Sequence, residues 1–296
     1  MGPMVSVVVA TYRRGVELRR ALESLMQQTY SNFEIVLVDD NGQQEWSESV
    51  KRIVDNFRQE YPHIRLCHIV NHPNQGSART RNVGIEASEG TYICFLDDDD
   101  IYLPNRIYNQ LVPMQQADAD YSVTNLALYS ENEKLIEIRN RDYIKDTSPK
   151  QLLKYHLMYH ITGTDTMMFR RNYLMKIGCF SPIDVGDEFY LMQKAIEGGG
   201  KFLYVPTCDV KAYVHMGDSG LSSGRRKIIG EKQLFVHKQQ YFDRMDKNVV
   251  RYIKARHYAV LAFAYLRNGS YMKFLTACVQ SFCSSPLSCM KLVFRR

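Results

Sequence analysis

Over the first hundred residues, short apolar runs alternate with stretches of helical spacing, and each run closes on polar residues. Met4 to Ala10 is short and β-branched, as strands buried on both faces are; Phe33 to Val38, Ile64 to Val70 and the strongly apolar Tyr92 to Leu96 read as three further strands. Between them, residues 15–28, 46–60 and 78–87 place apolar groups three and four apart; Val16, Leu18, Ala21, Leu22 and Leu25 form one such stripe. Strand and helix in strict alternation predict an α/β fold, with a mainly parallel sheet flanked by helices. Such sheets bind ligands beyond the carboxyl ends of their strands. Three of those ends carry polar clusters: Thr11-Tyr12-Arg13, Asp39-Asp40 and Asp97 to Asp100.

With 45% hydrophobic and 24% charged residues, the 296-residue chain has the composition of a globular protein with a sizeable core. The longest uninterrupted apolar run, Tyr258 to Leu266, is far short of the roughly 20 residues that cross a bilayer. Met4 to Ala10 leads straight into Thr11-Tyr12-Arg13-Arg14, and reads as a strand rather than an export signal. Seven scattered cysteines without a Cys-x-x-Cys pair argue against a disulfide framework or zinc site, and for reduced thiols in the cytoplasm. The net charge of +6 is uneven: residues 251–296 hold eight Lys or Arg and no acid, which leaves the rest at −2.

From about residue 150 the pattern changes. Helices are expected near 149–159 and 187–197, and short strands near Thr166 to Phe169 and Phe202 to Val205. A Gly/Ser-rich loop from Gly217 to Gly224 follows, then two or three helices. No linker marks off an independent second domain. We expect a first domain over residues 1–225, in two halves at 4–125 and 126–225. Residues 226–296 then form a basic, amphipathic helical extension.

Four successive carboxylates after a buried strand repel one another unless a cation lies among them. Hard oxygen donors suit Mg2+ or Mn2+, ions usually shared with substrate phosphates, whereas an isolated acidic turn would simply be solvated.

Val5-Ser6-Val7-Val8-Val9-Ala10-Thr11-Tyr12-Arg13-Arg14 followed by Phe33 to Asp40 resembles the opening of a family 2 glycosyltransferase. Asn74 to Ile85 resembles that family's next segment, and Phe95-Leu96-Asp97-Asp98-Asp99-Asp100 its metal motif, continued by Ile101 to Arg106. The resemblance covers residues 4–125 in order and spacing, and extends more loosely to about 220. It implies the GT-A fold, a nucleotide-diphosphate sugar donor and a divalent metal. Ala10, Thr11 and Tyr12 would line the base pocket, and Asp40 would hydrogen-bond the base. Arg81 would sit near the nucleotide. Asp97 and Asp98 would lie against the nucleotide sugar, Asp98 near the ribose, and Asp99 would bind the metal. Ala10 stands where proline is usual and Arg13 where asparagine is common.

Gly186-Asp187-Glu188-Phe189-Tyr190-Leu191 resembles the family's acidic pair ahead of a helix. An inverting transfer needs a carboxylate to take the acceptor's proton, and either Asp187 or Glu188 would serve. Alignment on Gly186 favours Asp187; alignment on Leu191 favours Glu188. His215 falls where related enzymes place a loop over the diphosphate, and would complete the metal site or touch phosphate. The acid-free tail suits either an anionic membrane surface or packing against protein. No nucleic-acid-binding motif is present.

The expected activity is transfer of a sugar, with inversion and metal assistance, from a UDP-sugar to a hydroxyl of a glycan or lipid-linked acceptor. A sugar-nucleotide-forming nucleotidyltransferase would carry a Gly-rich loop near the first strand, and residues 10–20 hold only Gly15. A non-catalytic nucleotide- or glycan-binding module is the other alternative.

Overall fold

The computed structural model describes residues 2–183, 185–214 and 224–294. The chain gathers into two units: one of residues 1–149, 161–183 and 187–214, the other of residues 150–160, 184–186 and 215–296.

In the first unit, the expected alternation is realised as β1 (Val5–Thr11), α1 (Val16–Met26), β2 (Phe33–Asp39), α2 (Gln44–Glu60), β3 (Arg65–Val70), α3 (Ser77–Ala87) and β4 (Tyr92–Asp97). There follow β5 (Ile101–Tyr102), α4 (Arg106–Gln116), β6 (Tyr121–Val123), β7 (Leu126–Ser130) and β8 (Leu135–Arg139). α5 (Pro149–Tyr159) lies almost wholly in the second unit. The first unit resumes with β9 (Met167–Arg170), α6 (Arg171–Lys176), α7 (Asp187–Glu197), β10 (Phe202–Tyr204) and β11 (Val210–Val214).

The main sheet runs β10-β6-β9-β4-β1-β2-β3. Strands β4, β1, β2 and β3 are mutually parallel, so their carboxyl ends share one edge. β9 is inserted antiparallel between β4 and β6. A smaller sheet runs β5-β11-β7-β8.

The pleat sorts the core. Val5, Val7 and Val9 of β1 join Leu18, Leu22 and Leu25 of α1 and Val50, Val54 and Phe57 of α2 in one buried cluster. Val8 and Val38, on the opposite face, meet α3 at Gly84, where a Cβ would lie 2.4 Å from Val8 Cγ1. Below the functional edge, the buried Glu34 carboxylate accepts from Ser6 Oγ (2.6 Å) and from the Glu89 amide (2.7 Å), fastening β1 and β2 to the turn that feeds β4.

In the second unit, α5 accompanies α8 (Gly224–Gln239), α9 (Lys247–Arg267), α10 (Tyr271–Ser284) and α11 (Pro286–Phe294). α9 and α10 form a hairpin that turns at Gly269, whose φ of +67° suits glycine. Leu261 and Ala262 pack against Ala277 there, and Ser281 Oγ donates to the Ala255 carbonyl at 2.8 Å.

Candidate active site

The three polar clusters do converge. At the end of β1, Thr11 is buried while Tyr12 is exposed, and the Arg13 guanidinium lies 5.1 Å from the Tyr12 ring centroid. The Tyr12 amide donates to Asp98 Oδ2 at 3.0 Å, joining the β1 turn to the acidic run. Arg13 has φ +54°, and its amide donates to Asn41 Oδ1 at 2.7 Å. Thus the loops after β1, β2 and β4 are tied by hydrogen bonds between one loop's amides and another's side chains.

Asp40 is buried, and its carboxylate is engaged by the segment leading into α3. It accepts from the Gln75 amide (2.8 Å), the Gly76 amide (2.9 Å) and Asn71 Nδ2 (2.9 Å). Gly76, with φ +82°, is the residue before α3, so Asp40 does from a distance what a capping side chain does locally. Arg81, expected near the nucleotide, is buried in a double ion pair. One of its nitrogens lies 2.7 Å from Asp97 Oδ1 and the other 2.8 Å from Asp187 Oδ2. Burial works against its charge, but the two carboxylates outweigh that and hold it protonated.

Within the acidic run the four aspartates have separate tasks. Asp99 pairs with Arg14 at 2.7 Å, an arginine that residue type alone gave no reason to select. Asp98 is pushed up to about 7, first by burial and then by the charge of Asp99; the Thr11 hydroxyl, Tyr12 amide and Arg14 pull it back. Asp97 and Asp100 share a cluster with Asp165, one carboxylate oxygen of each lying within 4.8 Å of the others. Asp165 accepts the Asp97 amide at 2.6 Å, and Asp100 accepts the Tyr213 amide of β11 at 2.9 Å. Burial, then Asp97, lifts Asp165 to about 7; burial, then Asp165, holds Asp100 well above the carboxylate range. The fully buried Arg106 fixes the turn that carries Asp165 by donating to its carbonyl at 2.7 Å.

Asp165 is the site residue that sequence reasoning missed. Nothing in Gly163-Thr164-Asp165-Thr166 signals it. The antiparallel pairing of β9 with β4, Cys94 opposite Met168, delivers it: three further steps of that register bring Asp165 beside Asp97. An all-oxygen set in which Asp100 and Asp165 retain protons above the normal range lacks positive charge, and a hard divalent cation fits it.

At the start of α7, Asp187 is buried on Arg81 and also accepts from Ser77 Oγ at 3.2 Å. Glu188 next to it is pushed up to about 8, first by burial and then by Asp187. His215 lies outside the described residues.

A mainly parallel sheet with acidic loops gathered at its carboxyl edge, and a carboxylate pair brought to them by a later helix, is the architecture of the GT-A fold. A family model described as glycosyl transferase family 2 matches residues 6–178, and the chain belongs to that family. An uncharacterized glycosyltransferase of Haemophilus influenzae is 40% identical over 113 residues, 38% of this chain and 35% of that one. The glycosyltransferase GlyG of Streptococcus pneumoniae is 35% identical over 133 residues, 45% of this chain and 42% of its own. The chain therefore spans less than half the length of these two relatives. Among solved structures, the mannosyltransferase PcManGT of Pyrobaculum calidifontis, in complex with GDP-Man and Mn2+, superposes with a TM-score of 0.60 at 18% identity, over 98% of this chain and 78% of that one. S. aureus TarS in complex with UDP-GlcNAc gives 0.58 at 17% identity, over 94% and 90%. These likenesses establish the GT-A fold.

Proposed function

We propose that the chain transfers a sugar from a nucleotide-diphosphate donor, UDP-linked in our reading, to a hydroxyl of a glycan or lipid-linked acceptor with inversion. The observation that carries this is the Arg81 bridge from Asp97 to Asp187, which ties the strand-end acids to the Asp187-Glu188 pair. Ala10, Thr11 and Tyr12 take the base, with the Tyr12 ring as a stacking face. Asp40 shapes the base pocket by holding residues 71–76. Asp99 and the cluster of Asp97, Asp100 and Asp165 would hold Mn2+ or Mg2+, whose charge would offset that of the diphosphate. GDP-Man with Mn2+ and UDP-GlcNAc in the two structural neighbours support a donor of this class.

Glu188 is the base. Asp187 is spent on Arg81, whereas Glu188, lifted to about 8, holds a proton acceptor of near-neutral strength. The acceptor hydroxyl passes its proton to the Glu188 carboxylate as its oxygen bonds the anomeric carbon. The bond from that carbon to the diphosphate breaks, and the nucleoside diphosphate leaves with the electron pair. A lipid-carried acceptor would meet the enzyme at a membrane surface.

The test is a thermal-shift and donor-hydrolysis panel of UDP-, GDP-, dTDP- and CMP-sugars, each with Mn2+ and with chelator. One nucleotide should stabilise the protein and be released slowly in a metal-dependent way. In Glu188→Gln, nucleotide binding should persist while transfer falls about 10²–10⁴-fold. No metal-dependent response to any nucleotide would overturn the transferase reading in favour of a binding module.

A further inference from the structure

Helix α10 has two apolar sides and only one of them is covered. Phe274, Ala277, Cys278 and Ser281 face α9. Met272, Leu275, Val279 and Phe282, spaced three or four apart on the other side, stay more than half exposed, as does Tyr271 at the helix start. The stripe continues into α11, where Leu287 is 71% exposed and Met290 46%. A run of large apolar side chains on one helical face calls for an occupant.

We propose that this face lies in the plane of a bilayer carrying anionic headgroups, with the apolar stripe at the acyl boundary. Charge identifies the occupant. Residues 251–296 contain eight Lys or Arg and no acid, and Arg267, Lys273 and Lys291 are exposed around the stripe. A second copy of the chain would bring its own Arg267, Lys273 and Lys291 to the same interface, and residues 251–296 hold no carboxylate to meet them. An anionic lipid surface complements them. Tyr271, at the hairpin turn beside Arg267, has the amphipathic ring that suits headgroup depth. No described helix is long and apolar enough to cross a membrane, so the contact is a peripheral one.

The experiment is co-sedimentation of the full chain with phosphatidylglycerol vesicles and with phosphatidylcholine vesicles, at low and at high salt. Binding to the anionic vesicles at least tenfold above the zwitterionic ones, weakening with salt, is expected. Leu275→Glu with Phe282→Glu should abolish it while the melting curve stays in place, because both side chains are exposed. Equal binding to the two vesicle types, or none to either, would overturn the proposal. So would a dimer in sedimentation equilibrium that Leu275→Glu dissociates, which would assign the face to a second copy. None of these readouts involves nucleotide or sugar, so failure here leaves the transferase reading standing.

Discussion

Arg81 bridges two carboxylates from distant parts of the first unit. Truncating it leaves the buried Asp187 and the half-buried Asp97 without their cation, and the cost of an uncompensated buried charge is about 3–5 kcal/mol. Arg81→Ala should show that loss in a denaturant titration. Arg81→Lys should recover only part of it, because a single ammonium cannot reach both carboxylates as a forked guanidinium does. Glu188 gives a kinetic counterpart. A carboxyl lifted to about 8 is mostly protonated below neutrality and accepts a proton only once ionised. The pH profile of kcat/KM should therefore rise through an acid limb near pH 8, and Glu188→Gln should abolish the limb together with the rate. An acid limb near pH 4 would point instead to a base with an ordinary pKa.

Helix α3 is held at both of its contacts with the sheet. The Gln75 and Gly76 amides that lead into it depend on Asp40, so Asp40→Ala should cost about 1–3 kcal/mol as these two and Asn71 Nδ2 lose their acceptor. Nucleotide binding should weaken along with stability, because the same loop would border the base pocket we propose. Along the helix, Gly84 lets the backbone sit against β1 and β2, and an added methyl would press on Val8 and Val38. Gly84→Ala normally raises helix propensity, but here it should destabilise by about 1–3 kcal/mol, which a melting curve will read. The strands and helices up to residue 97 are legible in the sequence because each carries its own periodicity and its own closing residues. The Gly84 contact is not, since a lone glycine in a helical stretch gives no sign of what it touches.

At the scale of the whole molecule, pH and the cation we propose would meet at the strand-end carboxylates. Asp98 and Asp165 near 7, and Glu188 near 8, all lie above the unfolded range of about 4. The stability they contribute is complete below that range, and is lost as pH rises through 7 to 8. A divalent cation competes with those protons, so the rise in Tm on adding Mn2+ should be larger at pH 8 than at pH 6, and should shrink in Asp165→Asn. An equal rise at both pH values would remove the cation from this cluster. Local information was enough for the α/β alternation, the polar strand ends and the acid-free tail, because apolar spacing and residue type are properties of short segments. It also brought forward Asp97 to Asp100 and the Asp187-Glu188 pair as candidates, but could not divide the labour between the last two. Pairing decided the rest. Inserting β9 antiparallel beside β4 brought Asp165 to Asp97 from 68 residues away in sequence, and Arg81 reached across 106 residues to claim Asp187, which is why Glu188 is the proton acceptor we propose. Such contacts depend on which strands and helices become neighbours, and that is settled only when the whole core is buried.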